Sequence, residues 1–297
     1  MNNRPWTDEE LRTLKVAYNT RPENQTDKEF AVGYAPTTKR SVEAVRIMVA
    51  KIGERREPEA PKILYFDIET LPIEAYVWDT FQVNIPAEAI KRDWCVLSWA
   101  AQWEGGEVFG DILTPQEAVS RSDQRLLGGL WKLLERADIV ISQNGKRFDH
   151  KKVNARFIHH KMPPPTPYKV VDTYLAAKSV ASFTKNKLDW LAQETGVARR
   201  KDETGMELWI RCDNGDSEAL AAILHYNFGD VEELRDIYHE LRPWIPGHPN
   251  VNMYAAEPAE ACPVCGGEIV KAGNIPTNKR KRKAFRCVDC GCTGVWP

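Results

Sequence analysis

The stretch Ile63-Leu64-Tyr65-Phe66-Asp67-Ile68-Glu69-Thr70 limits what this chain can fold into more than any other. Its apolar, aromatic opening predicts a buried strand over 63–68. Yet the run ends in two carboxylates two residues apart. Side chains alternate across a strand, so Asp67 and Glu69 point to one face of a sheet at the strand's carboxyl end. Neighbouring carboxylates repel each other strongly unless a cation lies between them, which makes a hard divalent metal the natural occupant. An Asp-x-Glu pair arises by chance in many proteins, so its meaning depends on what the rest of the chain supplies.

A strand over 95–103, a turn at Gly105-Gly106 and a strand over 107–111 extend the first strand into an antiparallel meander. Helical apolar spacing over 126–134 follows, then a buried strand Ile139-Val140-Ile141-Ser142, then helices over 149–160, 188–195 and 218–241. Strands first, then alternation with helices, predict an α/β fold: a mixed sheet flanked by helices. At 297 residues the chain has room for one large domain and small modules. Its 42% hydrophobic and 28% charged residues exclude disordered and fibrous classes. No stretch approaches the roughly 18 apolar residues of a membrane span. The start Met1-Asn2-Asn3-Arg4 lacks the apolar core of a signal peptide, so the expected location is cytoplasmic, without a membrane partner. The formal net charge of -1 argues against a uniformly basic coat and allows basic patches beside an acidic site.

Two further blocks give the acid pair a context. In Asn144-Gly145-Lys146-Arg147-Phe148-Asp149, Gly145 permits a tight strand-to-helix turn and Asp149 opens a helix. In His225-Tyr226-Asn227-Phe228-Gly229-Asp230, a spacing of four puts Tyr226 and Asp230 on one helix face. These three blocks, in this order, resemble the exonuclease motifs of the DEDD (DnaQ-like) superfamily, especially the tyrosine branch found in family B polymerase proofreading domains. The resemblance runs from about residue 62 to 244. It takes in Val171-Asp172-Thr173, similar to the family's strand after the second motif, and Lys187-Leu188-Asp189-Trp190-Leu191-Ala192, similar to its helix before the third. Asp172 reads as structural.

The resemblance implies an RNase H-like domain over 62–248. It implies that Asp67, Glu69, Asp149 and Asp230 hold two Mg²⁺ or Mn²⁺ ions, and that a 3′-5′ exonuclease releases nucleoside 5′-monophosphates by a two-metal mechanism. Thr70 and Leu71 would contact the terminal nucleotide, with Asn144 and Phe148 shaping its pocket. The water-orienting group is either Tyr226 or His225, which match the tyrosine and histidine branches. Tyr226 is favoured, because a histidine beside it on a helix is more often a surface residue.

At the amino end, Trp6-Thr7-Asp8-Glu9-Glu10-Leu11 places Thr7 as a helix cap with acidic residues in the first turn. Helices are predicted from Asp8, over 27–34 and over 40–53, the last ending at Gly53. The Trp-Thr-x-Glu-Glu start and the Arg40-Ser41-x-x-Ala44-Val45 helix resemble the Myb/SANT-like helix-turn-helix family, which implies a DNA-binding module over 1–54 with Lys39, Arg40 and Arg46 facing DNA. A plain packing or protein-binding bundle is the alternative. The charged, proline-bearing segment 55–61 reads as a linker.

At the carboxyl end, over 257–297, Cys262-Pro263-Val264-Cys265-Gly266 and Cys287-Val288-Asp289-Cys290-Gly291 form two Cys-x-x-Cys knuckles. Cys262, Cys265, Cys287 and Cys290 predict a zinc ribbon with one structural Zn²⁺, although Cys292 could replace Cys290. Cys95 and Cys212 stand alone in sequence. Between the knuckles, Lys279-Arg280-Lys281-Arg282-Lys283 suits phosphate binding, or is a solvated charge run. The expected partner is therefore nucleic acid, DNA preferred over RNA because of the helix-turn-helix, alongside replication or repair proteins. An RNA-processing exonuclease of the same chemistry and an inactive DNA-binding scaffold are the alternatives.

Overall fold

The computed structural model describes residues 6–19, 25, 27–54, 60–81, 83–198, 205–254, 260–276 and 278–296. The polar start and most of the expected linker, 55–59, lie outside the described residues. The chain divides into two compact units, Met1–Glu59 with Met253–Pro258, and Ala60–Asn252 with Ala259–Pro297.

The first unit holds α1 (Asp8–Asn19), α2 (Asp27–Tyr34) and α3 (Val42–Glu54), with a 3-10 turn at Ala35–Thr37. Thr7 and Glu10 form a reciprocal cap: the Glu10 N–H donates to Thr7 Oγ1 at 3.2 Å and the Thr7 N–H donates to Glu10 Oε2 at 3.0 Å. Ser41 caps α3 in turn, accepting the Ala44 N–H at 3.2 Å. Leu14, Tyr18, Phe30, Ala31, Ala35, Val45 and Val49 make the core of this bundle. Arg40 departs from expectation. It precedes α3, its side chain is 2% exposed, and it donates to Glu10 at 2.9 Å with its guanidinium 4.6 Å from the Trp6 ring. Burial of its apolar stem and neutralisation by Glu10 make it a strut between α1 and α3 instead of a DNA-facing cation. Lys39 and Arg46 are exposed, Arg46 in a 2.9 Å pair with Glu43.

The second unit begins with β1 (Ile63–Thr70), a small hairpin of β2 (Glu74–Ala75) and β3 (Ile90–Arg92), then β4 (Val96–Trp103) and β5 (Val108–Ile112). It continues through α4 (Pro115–Ser120), α5 (Gln124–Arg136), β6 (Ile139–Ser142), α6 (Asp149–His159), β7 (Lys169–Asp172), α7 (Thr173–Val180), α8 (Leu188–Thr195), α9 (Met206–Asp213) and α10 (Ser217–Leu241). The main sheet has the order β5-β4-β1-β6-β7, antiparallel from β5 to β1 and parallel from β1 to β7, so it is mixed and flanked by helices. The strand bearing Asp67 and Glu69 is its centre.

Alternation along β1 divides the domain. Leu64, Phe66 and Ile68 pack with Leu126, Leu127, Leu130 and Leu134 of α5 and with Val153 and Phe157 of α6. Tyr65, on the other face, meets Tyr238 of α10 edge-on at 5.6 Å between ring centroids. Asp67 and Glu69 share the parity of Tyr65 and so belong to the α10 side. A close approach seats that helix: a Cβ added to Gly110 on β5 would lie 2.4 Å from the Trp99 carbonyl oxygen and 2.7 Å from the Phe228 ring. Among the described residues, no helix is long and apolar enough to cross a membrane.

The ribbon is a three-stranded antiparallel sheet of β8 (Ile269–Pro276), β9 (Lys281–Cys287) and β10 (Thr293–Val295), in the order β10-β9-β8. It is joined to the end of the main domain by hydrogen bonds from the Val251 N–H to the Pro263 carbonyl at 2.8 Å and from Asn252 Nδ2 to the Ala261 carbonyl at 2.9 Å.

Candidate functional site

Three acids converge where β1 meets α10. Ligand oxygens of Asp67, Glu69 and Asp230 all lie within 4.8 Å of one another. Strand period places the first two, and α10 brings Asp230 to them on the face that also carries Tyr226 and Asn227. Asn227 is fully buried and does two things: its Nδ2 donates to Asp67 Oδ2 at 2.7 Å, and its Oδ1 accepts from Ser98 Oγ at 3.2 Å. Ser98 sits opposite Glu69 in the β1–β4 register. A chain of side-chain hydrogen bonds thus holds the Asp67 carboxylate from behind.

Asp149 is the fourth acid, and its placement differs from that of the other three. It opens α6, is 2% exposed, and accepts the Ile68 N–H at 3.3 Å on Oδ1, outside the three-acid group. It still acts on that group electrostatically. Burial, then the charges of Asp230 and Asp149, push the Glu69 carboxyl well above its ordinary value. Burial also raises Asp149, against the backbone N–H groups that it accepts, and Asp172 adds to the rise. Such crowding is relieved by a hard cation with oxygen ligands, and the donor set fits Mg²⁺ or Mn²⁺.

Tyr226 hydrogen-bonds the Asp230 carboxylate through its hydroxyl, and burial together with Asp230, Glu69 and Asp67 drives its phenol above the ordinary tyrosine range. His225 is exposed on the outer side of α10. Of the two candidates for orienting water, only Tyr226 is brought to the acids.

The second block is shaped by close packing. A Cβ on Gly145 would stand 2.1 Å from Ser142 Oγ, so no other residue fits without displacement. Asn144 takes a left-handed φ of 58° and its N–H donates to Asp172 Oδ1 at 3.0 Å. Asp172 also accepts the Lys146 N–H at 3.1 Å and caps α7 through the Leu175 N–H at 3.2 Å, a structural role. Phe148 is 42% exposed beside Asp149. Thr70 is half-buried at the end of β1, where the register with β4 slips between Glu69 and Thr70. Leu71 does not fit its expected role. Its side chain is fully buried in the main core and its N–H is engaged by the Cys95 carbonyl at 3.0 Å, so neither remains for a nucleotide.

The thiols of Cys262, Cys265, Cys287 and Cys290 lie within 4.8 Å of one another, with Sγ–Sγ distances of 3.7 Å for Cys262–Cys290 and 3.5 Å for Cys265–Cys287. Gly266 and Gly291, at φ of +77° and +75°, let each knuckle fold back, and backbone N–H groups of Val264 and Cys290 point at the sulfurs of Cys262 and Cys287. Cys290 occupies the fourth place; Cys292 packs in the ribbon core with its thiol toward the Thr293 carbonyl. Lys279 to Lys283 are exposed along the β8–β9 turn and the start of β9. Cys95 and Cys212 are buried thiols apart from both clusters.

Ser98 and Asn227 escaped the sequence reading as site residues. The signal for Asn227 was present, since it lies three residues before Asp230 and so on the same helix face; nothing marked Ser98 before the register was known.

Residues 102–242 match the family model RNase_H_2, of the RNase_H superfamily. The matched segment begins after the two acids of β1. The chain is also similar to the family B DNA polymerase from the hyperthermophilic archaeon Pyrobaculum calidifontis, at 16% sequence identity and a TM-score of 0.45, covering 67% of this chain and 27% of the polymerase. No curated protein matches the sequence. The fold of the main domain is RNase H-like.

Proposed function

Starting from an RNase H-like fold with an acid cluster at its central strand, we propose that this chain is a divalent-metal-dependent 3′-5′ exonuclease. It hydrolyses phosphodiester bonds at single-stranded or frayed 3′ ends of DNA and releases nucleoside 5′-monophosphates. The observation that carries the reading is the convergence of Asp67, Glu69 and Asp230 within 4.8 Å, with Tyr226 hydrogen-bonded to Asp230. Asp67, Glu69, Asp149 and Asp230 would hold two Mg²⁺ or Mn²⁺ ions, which when bound supply charge neutralisation at the phosphate and a water of lowered pKa.

The chain's own groups do the positioning. Asn227, backed by Ser98, fixes the Asp67 carboxylate. Tyr226, hydrogen-bonded to the Asp230 carboxylate, serves as the group that orients water. Asn144, Phe148 and Thr70 border the place of the terminal nucleotide. In this reading the tyrosine branch of the DEDD superfamily is the chain's place. Lys39 and Arg46 of a Myb-like bundle and Lys279, Arg280, Lys281, Arg282 and Lys283 of a zinc-holding ribbon engage the phosphate backbone. The setting is cytoplasmic, in the company of replication or repair proteins.

The test is digestion of 5′-labelled single-stranded DNA, duplex DNA and matching RNA with Mg²⁺ or Mn²⁺, comparing the natural chain with Asp67→Ala. A metal-dependent ladder that shortens from the 3′ end and disappears in the variant is expected, strongest on single-stranded DNA. Binding without shortening would replace the exonuclease with a scaffold, and preference for RNA would replace the substrate class.

A further inference from the structure

The segment that leaves β1 is held at its root and bare at its tip. Just past Glu69, the Pro72 carbonyl accepts from Arg121 Nη1 at 2.8 Å, and the Asp93 carbonyl, where the segment returns, accepts from the same nitrogen at 2.6 Å. Asp213 of α9 fixes that guanidinium through two further hydrogen bonds, at 3.1 and 2.9 Å. Between these anchors Tyr76 and Phe81 are 71% and 77% exposed and Trp78 is fully exposed, with Val77, Val83 and Ile85 also open. Aromatic side chains carry about 150–250 Å² each, so the three rings alone present roughly 500 Å², near the upper end of what a monomer leaves uncovered. No lysine or arginine lies between Glu74 and Lys91, while Asp79 and Glu88 are exposed and have no ion-pair partner among the described residues. Such an arm repels a phosphate backbone and suits an apolar surface that carries cations.

The ribbon has that surface. Val270 stands opposite Arg286 and Ile275 opposite Arg282 in the β8–β9 register, and the two arginines share strand parity, so all four lie on one face. They are exposed, and neither arginine has an ion-pair partner among the described residues. The chain's own arm does not cover them. Helix α10 runs from Asp230, at the end of β1, to Tyr238, which meets Tyr65 near the start of β1. There the Tyr238 hydroxyl and His248 Nε2 share a hydrogen bond at 2.7 Å, and Val251 then ties on the ribbon. Arm and ribbon thus belong to opposite ends of β1, with about 17 Å of strand between Tyr65 and Thr70.

We propose that the chain forms a two-fold dimer in which the arm of each copy, led by Trp78 and Phe81, docks on the Val270, Ile275, Arg282 and Arg286 face of the other copy's ribbon. An axis across β1 brings each arm to the opposite ribbon, and the reciprocal pair closes the assembly. Area favours this arrangement. One arm alone falls short of the roughly 800 Å² that each partner buries in a stable interface, whereas an arm and a ribbon face from each copy approach it. Lys281 and Lys283, of the opposite parity on β9, are left to phosphate. The dimer does not depend on the nuclease reading of the acids.

The experiment is sedimentation velocity of the full chain from micromolar to near-millimolar concentration. A reversible dimer is expected, and Asp67→Ala should form it equally well. Trp78→Ser and Phe81→Ser should each weaken it at least about thirtyfold, the loss found at central interface residues. Their melting temperatures should match the parent's, because both rings are exposed. Arg286→Glu should weaken the dimer as well, and Asp79→Lys with Glu88→Lys should restore affinity toward Arg286→Glu. A chain that stays monomeric throughout overturns the dimer, as does a dimer that the Trp78 and Phe81 variants leave intact. A dimer lost in the arm variants but untouched by Arg286→Glu overturns the ribbon as the arm's seat. Weaker binding of a labelled oligothymidylate by Trp78→Ser, in a chain that stays monomeric, would give the arm to nucleic acid instead.

Discussion

Four thiols and three carboxylates are each gathered within 4.8 Å, but the two clusters are built from opposite materials. The thiols come from one short segment, with Cys262 and Cys290 28 residues apart, and turns within that segment aim backbone N–H groups at the sulfurs. The carboxylates come from the central strand and the last long helix, and the Asn227–Asp67 hydrogen bond spans 160 residues. Four soft donors make a closed tetrahedron with no position for a reactant, the arrangement of a structural metal. Three oxygens, with a fourth acid held aside by the Ile68 N–H, leave positions open. A local cluster would stabilise its own segment on binding metal. A long-range cluster inherits its geometry from a fold already made and would have coordination to spare for a substrate.

The sharpest way to break that comparison is at the thiols. Cys262→Ser, or metal removal by a thiol-competitive chelator, is expected to unfold β8 to β10, because structural zinc contributes about 10–16 kcal/mol in small domains. Amide hydrogen exchange should show protection lost over 260–296 and retained in the main sheet. Survival of the ribbon without metal would make the two clusters alike.

The acids should respond in the opposite sense. Asp67→Ala is expected to reduce hydrolysis by more than about a hundredfold, beyond the roughly 10–100-fold that loss of a group supporting a metal ligand costs. The melting temperature should stay level or rise, since one of the crowded carboxylates is gone. A large fall in melting temperature would mean that the acid cluster also serves stability.

Smaller effects separate the helpers. Asn227→Ala should cost about tenfold or more in kcat by loosening Asp67. Tyr226→Phe should cost a comparable factor, and His225→Ala should leave the rate near the parent's. Equal losses at 225 and 226 would put the histidine back in the site.

The gentlest probe is pH, at a polar cluster with no part in either metal site. Burial alone would raise the Asp123 carboxyl, but Arg156, the Val96 N–H and His160 outweigh it and hold it below its ordinary value. A depressed carboxyl contributes stability that is present above its unfolded value, near 4, and is lost as pH falls through the lower folded one. Denaturant midpoints should therefore decline only on the acid side, and Asp123→Asn should flatten that decline. An unaltered acid slope in the variant would show that other carboxylates dominate it.

Much of this was legible in the sequence, for a physical reason: periodicity reports which residues share a face. Period two put Asp67 and Glu69 together, spacing of four put Tyr226 beside Asp230, and paired Cys-x-x-Cys knuckles announced a four-thiol site. What stayed hidden depends on neighbours distant along the chain. Arg40 looked like a surface cation until Trp6 and Glu10 were seen to enclose it. Leu71 looked available until the core claimed it. Asp149 gave no hint that its oxygen faces the Ile68 amide. Helices α4, α7 and α9 were not read from the sequence. The Thr114 and Glu117 capping box that starts α4 was nonetheless written in the sequence.

The 160-residue reach between Asp67 and its partner on α10 has a bearing on biosynthesis. A ribosome makes β1 early and α10 late, so a nascent chain holds two of the acids long before it can hold the third. If the chain is the proposed exonuclease, the growing polypeptide would be unable to cut nucleic acid until α10 emerges and docks, and fragments that stop short of Asp230 would be inert.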